Sequence, residues 1–144
     1  MRIKEYKDYF KASFKWSEAI SIGKIDNNKE KAICFYNSKR MVAPIKAVDA
    51  NTYKNKPITI LLRYTKNQDT AEEMAISIYE FFDERNFMIG DKQVISQHLY
   101  SGPITLGTDD NGVYEYSFEI NMLEKWGGKK YGYNINRCIS SKCT

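Results

Sequence analysis

The residues whose chemistry could support catalysis are few and widely separated. His98 is the single histidine of this 144-residue chain, and its surroundings alternate like a β-strand. No serine or cysteine stands in a G-x-S-x-G context, and no glycine-rich loop of the phosphate-binding type occurs. Cys34 lies between Ile33 and Phe35, which is typical of a small buried side chain. We therefore expect no enzyme activity and no cofactor.

The acidic sequence Thr108-Asp-Asp-Asn-Gly112 could in principle supply oxygen ligands to calcium. A complete calcium loop places a bidentate glutamate at its twelfth position, which here is Ile120 when counting starts at Asp109. Asn111-Gly112 before an alternating strand favours a tight turn with positive φ instead. This segment predicts a turn and no metal site.

Paired carboxylates for acid–base chemistry could come from Glu115 and Glu119. They lie four residues apart on one predicted strand face, and nothing around them predicts a cleft that would separate their pKa values. Cys138 and Cys143 lack the second pair of ligands that a zinc site needs, and three cysteines cannot form a closed disulfide framework. We expect reduced thiols.

The chain is mildly basic, with 22 basic and 18 acidic residues and a net charge of +4. This value alone does not indicate a nucleic-acid-binding protein. The residues after Glu124 include basic side chains but no acidic ones. Such a tail could contact nucleic acid or an acidic partner, but a solvated terminus is the simpler interpretation.

The length and hydropathy predict one domain, residues 1–126, followed by a flexible basic C-terminal tail, residues 127–144. A chain of 144 residues can bury one sizeable core. No apolar run is long enough to span a membrane, and the N-terminal residues lack an export signal. We therefore expect no membrane partner and a protein that stays in a cytoplasm until it assembles with others.

The N-terminal part predicts one helix and a hairpin. Apolar residues with helical spacing predict a helix over about residues 3–14. Residues 19–25 and 31–36 resemble two strands, and the turn residues 26–29 between them favour a β-hairpin. Residues 37–56 are polar and irregular, which indicates a long loop.

The central part predicts the main helix and three strands. A strand over residues 57–65 precedes a helix that begins at Asp69, where Asp69 and Glu72 form a variant capping box, and ends near Asn86. A strand over 92–100, a loop over 101–112 and a strand over 114–122 follow.

These elements predict an α+β fold. We expect a mostly antiparallel sheet of about five strands, with one long helix and the N-terminal helix packed on one face. Alternation places Arg63, Glu115 and Glu119 on the opposite, polar face. The aromatic residues of the last strand alternate with glutamate rather than with basic residues, unlike a nucleic-acid stacking platform.

Three segments resemble one family of phage proteins. They are residues 23–37 (GKIDNNKEKAICFYN), 57–67 (PITILLRYTKN) and 102–117 (GPITLGTDDNGVYEYS). In order and spacing they are similar to the minor capsid proteins of phages of Gram-positive hosts, a family of tail terminator or tail-completion proteins. The likeness covers about residues 18–125 and does not include the tail after residue 127.

The resemblance implies a structural protein of a phage or phage-tail-like particle. Such a subunit would form a homo-hexameric ring that terminates the tail tube and offers an interface to the head connector or collar. In a headless, bacteriocin-like particle the ring would cap the tube. The implied partners are other copies, the tail tube protein, the sheath and the head–tail connector, with DNA only passing through the lumen. The candidate subunit or partner interface consists of Arg63, Tyr64, Asp109, Asp110, Asn111, Glu115, Glu119, Lys129 and Lys130.

Two other classes of function remain open from the sequence. A small basic α+β nucleic-acid-binding module would show salt-dependent DNA retardation that depends on residues 127–144. The chain could also be a small enzyme with an unrecognised site. This interpretation would become weaker if substitution of His98 changed no activity.

Overall fold

A computed structural model describes residues 1–38 and 53–125 of the chain. These residues form two α-helices and seven strands. In chain order the elements are α1 (Ile3–Phe10), a π-helical turn (Lys11–Lys15), β1 (Ala19–Ile22), β2 (Lys31–Asn37), β3 (Tyr53–Tyr64), α2 (Gln68–Phe81), β4 (Asn86–Ile89), β5 (Lys92–His98), β6 (Ile104–Thr108) and β7 (Tyr114–Lys125).

The seven strands form one sheet in the order β1-β2-β3-β7-β5-β4, with β6 also paired to β7. Strand β1 runs parallel to β2, whereas the other neighbours are antiparallel. The α+β class is as predicted. The sheet is mixed, however, which corrects the expected mostly antiparallel sheet of about five strands. Helix α2 has 14 residues and is not long.

The predicted hairpin between β1 and β2 was wrong. Residues 26–29 do form a turn, in which the Asn28 backbone N–H donates to the Asp26 carboxylate at 2.9 Å. The two strands are not antiparallel, however. Residues 23–30 lead the chain back across the sheet, so that β2 begins beside the start of β1 and runs parallel to it. Local turn chemistry fixed the turn, but long-range contacts of this segment fixed the strand direction.

The two central strands, β3 and β7, have 12 residues each and pair along almost their whole length. Strand β3 begins at Tyr53, earlier than predicted, so that Pro57 lies inside it. Proline is tolerated there because the pairing of β3 with β2 ends at Ile58. The predicted loop 37–56 is thus partly strand, and its residues 39–52 lie outside the described part of the chain.

Helix α2 begins and ends at other residues than the sequence predicted. Its N-cap is Asn67, whose side chain accepts a hydrogen bond from the Thr70 N–H at 3.1 Å, so the proposed Asp69 cap was wrong. The helix ends at Phe81, and residues 86–89 form β4, which the sequence analysis had missed. Gly90, with φ of 63°, provides the turn from β4 to β5.

Strand β6 was predicted as loop. It continues the line of β5 along the same edge of β7, after an interruption at residues 99–103. Its pairing with β7 contains an irregularity between Thr105 and Gly107, and its five residues do not alternate clearly between apolar and polar. This weak periodicity explains why the sequence did not reveal the strand.

Both helices pack on one face of the sheet and enclose the core. Phe10 of α1 is fully buried, and its ring lies 5.6 Å from Phe35 of β2 and 5.7 Å from Phe82 after α2. Ala71, Ala75 and Ile78 of α2 are also fully buried and form its apolar stripe. The opposite face of the sheet, which we call the outer face, carries the polar side chains. The predicted tail, residues 127–144, lies outside the described residues.

Candidate functional site

The outer face is partly covered by the chain itself. In β3 it presents Thr59, Leu61 and Arg63, and in β7 it presents Glu115 and Glu119, as the alternation predicted. Arg63 is only 2% exposed, however. The returning segment 23–30 causes this burial, because two of its backbone carbonyls accept hydrogen bonds from the Arg63 side chain.

Arg63 is the buried centre of an ion-pair cluster whose carboxylates are partly exposed. Its Nη1 donates to the carboxylate of Asp109 and, at 3.2 Å, to that of Glu115. Its Nε and Nη2 each donate at 3.3 Å, to the carbonyl oxygens of Lys29 and Asn27 respectively. One guanidinium therefore joins β3, β7, the returning segment and the turn between β6 and β7.

Electrostatics favour the charged forms of Arg63 and Asp109. Burial alone would lower the pKa of Arg63, but the hydrogen bonds with Asp109 and Glu115 outweigh it and raise that pKa. The hydrogen bond from Arg63, with further help from the Val113 N–H, lowers the pKa of Asp109. The cluster thus pairs one guanidinium with two carboxylates.

The turn between β6 and β7 has the predicted geometry. Gly112 has φ of 84°, as expected for Asn-Gly in a tight turn. The Asp109 carboxylate accepts hydrogen bonds from the N–H groups of Asn111 and Val113, both at 2.9 Å. These contacts turn its oxygens inward, whereas Asp110 and Asn111 are exposed at the tip.

Glu119 belongs to a second polar cluster. Its carboxylate accepts hydrogen bonds from the hydroxyl groups of Thr59, at 3.0 Å, and Ser38, at 3.2 Å. On the same face, Asn121 donates to Asn55 at 2.9 Å. These contacts join β7 to β3 and to the end of β2.

The other proposed interface residues lie elsewhere. Tyr64 packs on the helix-facing side, where its ring lies 6.0 Å from that of Trp16. Lys129 and Lys130 lie outside the described residues. Of the nine interface candidates, the structure thus brings together Arg63, Asp109 and Glu115, and their role in an interface stays a prediction.

His98 has a structural environment. Its Nε2 donates to the carbonyl oxygen of Tyr79 at 2.7 Å, and its ring stacks on the Tyr79 ring with centroids 3.7 Å apart. Burial lowers the pKa of His98, and the hydrogen bond with Tyr79 opposes this shift. The Tyr79 hydroxyl in turn donates to the carbonyl of Tyr100 at 2.9 Å. The pair therefore fastens the end of α2 to the segment after β5.

Within residues 1–38 and 53–125, no group of three or more His, Cys, Asp or Glu side chains could hold a metal ion. The same residues contain no helix of the length and apolar character that crossing a bilayer requires. The polar clusters of the outer face are thus suited to holding strands and loops together.

The structure also reveals a feature that the sequence analysis missed, namely sheet edges that carry exposed aliphatic side chains. Ile22 on β1 is 42% exposed, Met88 on β4 is 55% exposed and Leu106 on β6 is 50% exposed. Each of these strands pairs on one side only within the described residues. A sequence signal existed in the short uncharged runs AISI, NFMI and ITLGT, which lie between turn residues.

The family to which the chain belongs indicates what kind of protein carries these surfaces. The family model described as bacteriophage tail terminator protein matches residues 11–125, which include every strand of the sheet. The chain belongs to this family. A comparison with curated proteins gave no match. As a tail terminator, the chain has a structural role in a phage tail, interacts with other tail components and is associated with the virion.

Proposed function

We propose that this tail terminator forms a homo-hexameric ring that ends the growth of the tail tube and then presents a docking surface to the head connector or collar. The observation that carries the proposal is the family match over residues 11–125. In a particle without a head, the same ring caps the tube. The proposal assigns no catalytic role and no cofactor to the protein.

The construction of the fold supports a ring subunit. A closed ring needs two different surfaces on each copy, so that the first surface of one copy binds the second surface of the next. The sheet has two ends, β1 and β4, separated by four strands. Hydrogen bonds and ion pairs on the outer face join the central strands β3 and β7 to the end of β2 and to the segments beside them, and the pairing of the strands holds the two ends of the sheet apart.

The ring would have two chemically different faces for its partners. At one end of the long strands, the turn after β6 presents the polar residues Asp110 and Asn111. At the other end lie the start of β3 and the end of β7, where the basic tail 127–144 follows. We propose that one face contacts the tube protein and the other the connector, with sheath proteins meeting the outside and DNA passing only through the lumen.

Electron microscopy of tails that contain a tagged copy tests this proposal. The tag should follow Thr144, because the Met1 ammonium group forms an ion pair with the buried Glu124 at 3.2 Å. We expect label at one end of each tube and six-fold density there. Label along the tube, at the baseplate end or absent from purified tails would contradict the proposal.

A deletion provides the complementary measurement. If the ring stops polymerisation, cells that lack the protein should produce tubes of widely variable length and no tube joined to a head. A plasmid copy of the wild-type chain should restore uniform length. Tubes of normal length without the protein would contradict a terminating role.

A further inference from the structure

The two end strands of the sheet are unusual edges. Strand β1 (AISI) and strand β4 (NFMI) have four residues each, and neither contains a charged residue or a proline. Soluble proteins commonly protect edge strands with lysine, proline or a bulge, because an unpaired edge invites pairing with another chain. The third one-sided strand, β6, has such an irregularity between Thr105 and Gly107, whereas the pairings of β1 and β4 are regular.

The two end strands also point in the same direction. Strand β1 is parallel to β2, and the four pairings from β2 to β4 are all antiparallel, so β4 has the direction of β1. Rotation about an axis along the strands keeps that direction. In a ring of this kind, β1 of one copy could therefore meet β4 of the next copy only as a parallel pair.

The charges that flank the two strands match in such a pair. Glu18 precedes β1 and Lys24 follows it by two residues, while Arg85 precedes β4 and Asp91 follows it by two residues. The separation along the chain is the same in both cases. Parallel alignment thus places Glu18 beside Arg85 at one end of the pair, and it brings the turns that carry Lys24 and Asp91 to the other end, where opposite charges also meet.

The same alignment also places side chains that point to the same face of the sheet next to each other. It places Ile20 beside Phe87 and Ile22 beside Ile89. These four side chains are on the helix-facing side, as their partners Ile33, Phe35 and Val94 in the neighbouring strands are buried in the core. It also places Ser21 beside Met88 on the outer face. A shift by one residue would align helix-facing side chains of one strand with outer-face side chains of the other.

We propose that β1 of one copy pairs in parallel with β4 of the next copy, in the register Ala19 to Asn86, and that the sheet thereby continues around the ring. This inference rests on the proposed function, because a ring is what brings the two ends together. The interface buries the exposed aliphatic groups of Ile22 and Met88, and the flanking charges select its register.

Cysteine cross-linking on assembled tails tests the pairing. Ser21→Cys and Met88→Cys are combined in a chain that also carries Cys138→Ser and Cys143→Ser, while the fully buried Cys34 is retained. Neighbouring strands bring such residues within the Cα separation that a disulfide needs. After mild oxidation, we expect a ladder of covalent oligomers that ends at the hexamer on a non-reducing gel.

Two sets of controls make the result specific. Ser21→Cys alone and Met88→Cys alone should remain monomeric on the gel. The pair Ser21→Cys with Leu106→Cys, which uses the bulged strand β6, should also remain monomeric although Leu106 is 50% exposed. A covalent dimer from either single variant would indicate two-fold pairing of identical edges and would overturn the proposal, as would a ladder with the Leu106 variant.

A charge exchange provides an independent test that needs no oxidation. Lys24→Glu should reduce the fraction of tubes that carry a ring several-fold, and Lys24→Glu combined with Asp91→Lys should restore it. Lys66→Glu changes another exposed lysine, which lies between β3 and α2 and outside both edge strands, and should have no effect. A ring that forms normally with Lys24→Glu would count against the register.

The outcomes separate this inference from the proposed function. Six copies at the tube end without any cross-link between positions 21 and 88 would refute the strand pairing and leave the ring intact. Absence of the wild-type protein from tube ends would refute the ring itself.

Discussion

Arg63 is the residue on which most of the outer face depends. Its guanidinium donates four hydrogen bonds to three segments that are distant in sequence, the returning segment 23–30, the turn at Asp109 and strand β7. Because the side chain is nearly fully buried, every lost hydrogen bond would leave a polar group without water as a replacement. This residue is therefore a structural centre of the fold.

Replacement of Arg63 by methionine should destabilise the chain. Arg63→Met keeps much of the apolar stem but removes the donors to Asp109 and Glu115, and we expect the free energy of unfolding to fall by about 1.5–3 kcal/mol. Urea denaturation measures this difference. The matched control is Lys66→Met at an exposed position, which should change stability by less than about 0.5 kcal/mol. Equal stability of both variants would contradict the role given to Arg63.

The lowered pKa of Asp109 predicts how the free energy of unfolding depends on pH. Its pKa is lower in the folded chain than in the unfolded chain, chiefly because Arg63 donates to it. The unfolded state therefore binds more protons in acid, so this contribution is complete above the unfolded pKa of about 4 and is lost as pH falls through the lower folded pKa. Acidification below about pH 4 should then weaken the fold.

Asp109→Asn should make the acid limb of the stability curve shallower. The measurement is urea denaturation at a series of pH values between about 5 and 2.5, for the wild type and the variant. In the Arg63→Met background the same asparagine substitution should change the slope less, because the main cause of the pKa shift is gone. Parallel acid limbs for wild type and Asp109→Asn would contradict the assignment.

At the scale of elements, α1 is held on the sheet by aromatic packing. Phe10 stacks on Phe14 at 4.8 Å and meets Phe81 edge to face at 5.5 Å. It is fully buried, and it also approaches the rings of Phe35 and Phe82. Phe10 therefore provides several of the ring contacts that attach the helix, in addition to the buried Tyr6, and a cavity at Phe10 would loosen this packing.

Phe10→Ala should cost about 3–5 kcal/mol of unfolding free energy, since it removes a large side chain from a packed core. Denaturation monitored by the fluorescence of Trp16, which lies 6.2 Å from Phe10, measures both stability and local packing when Trp126 is replaced by phenylalanine in every variant. Met88→Ala, at an exposed apolar residue, should change the stability of the isolated chain by less than about 0.5 kcal/mol. Similar losses for both variants would contradict this account of the core.

At the scale of the whole molecule, the sheet of the described residues ends in β1 and β4. A single copy leaves β1 and β4 paired on one side only within the described residues. In the proposed ring each copy would complete its neighbour, which accounts for edge strands without protecting charges. Stability of the isolated chain and assembly of the ring should therefore respond to different substitutions, the first to the core and the second to the edges.

The sequence predicted well those features that depend on local periodicity. The apolar stripe of α2, the alternation of β7 and the positive-φ turn at Asn111-Gly112 all follow from residue types at short spacing. The polar face with Arg63, Glu115 and Glu119 was predicted for the same reason. Resemblance in three segments also led to the family that residues 11–125 match.

Only the tertiary structure decided which strands are neighbours. The turn residues 26–29 suit a hairpin, but the carbonyls of Asn27 and Lys29 bind Arg63 from another strand, and β1 becomes parallel to β2. Strands β4 and β6 are too short and irregular to have a clear period, so pairing with β5 and β7 defines them. Periodicity is a property of adjacent residues, whereas partners, burial and free edges arise from contacts between residues far apart in the chain.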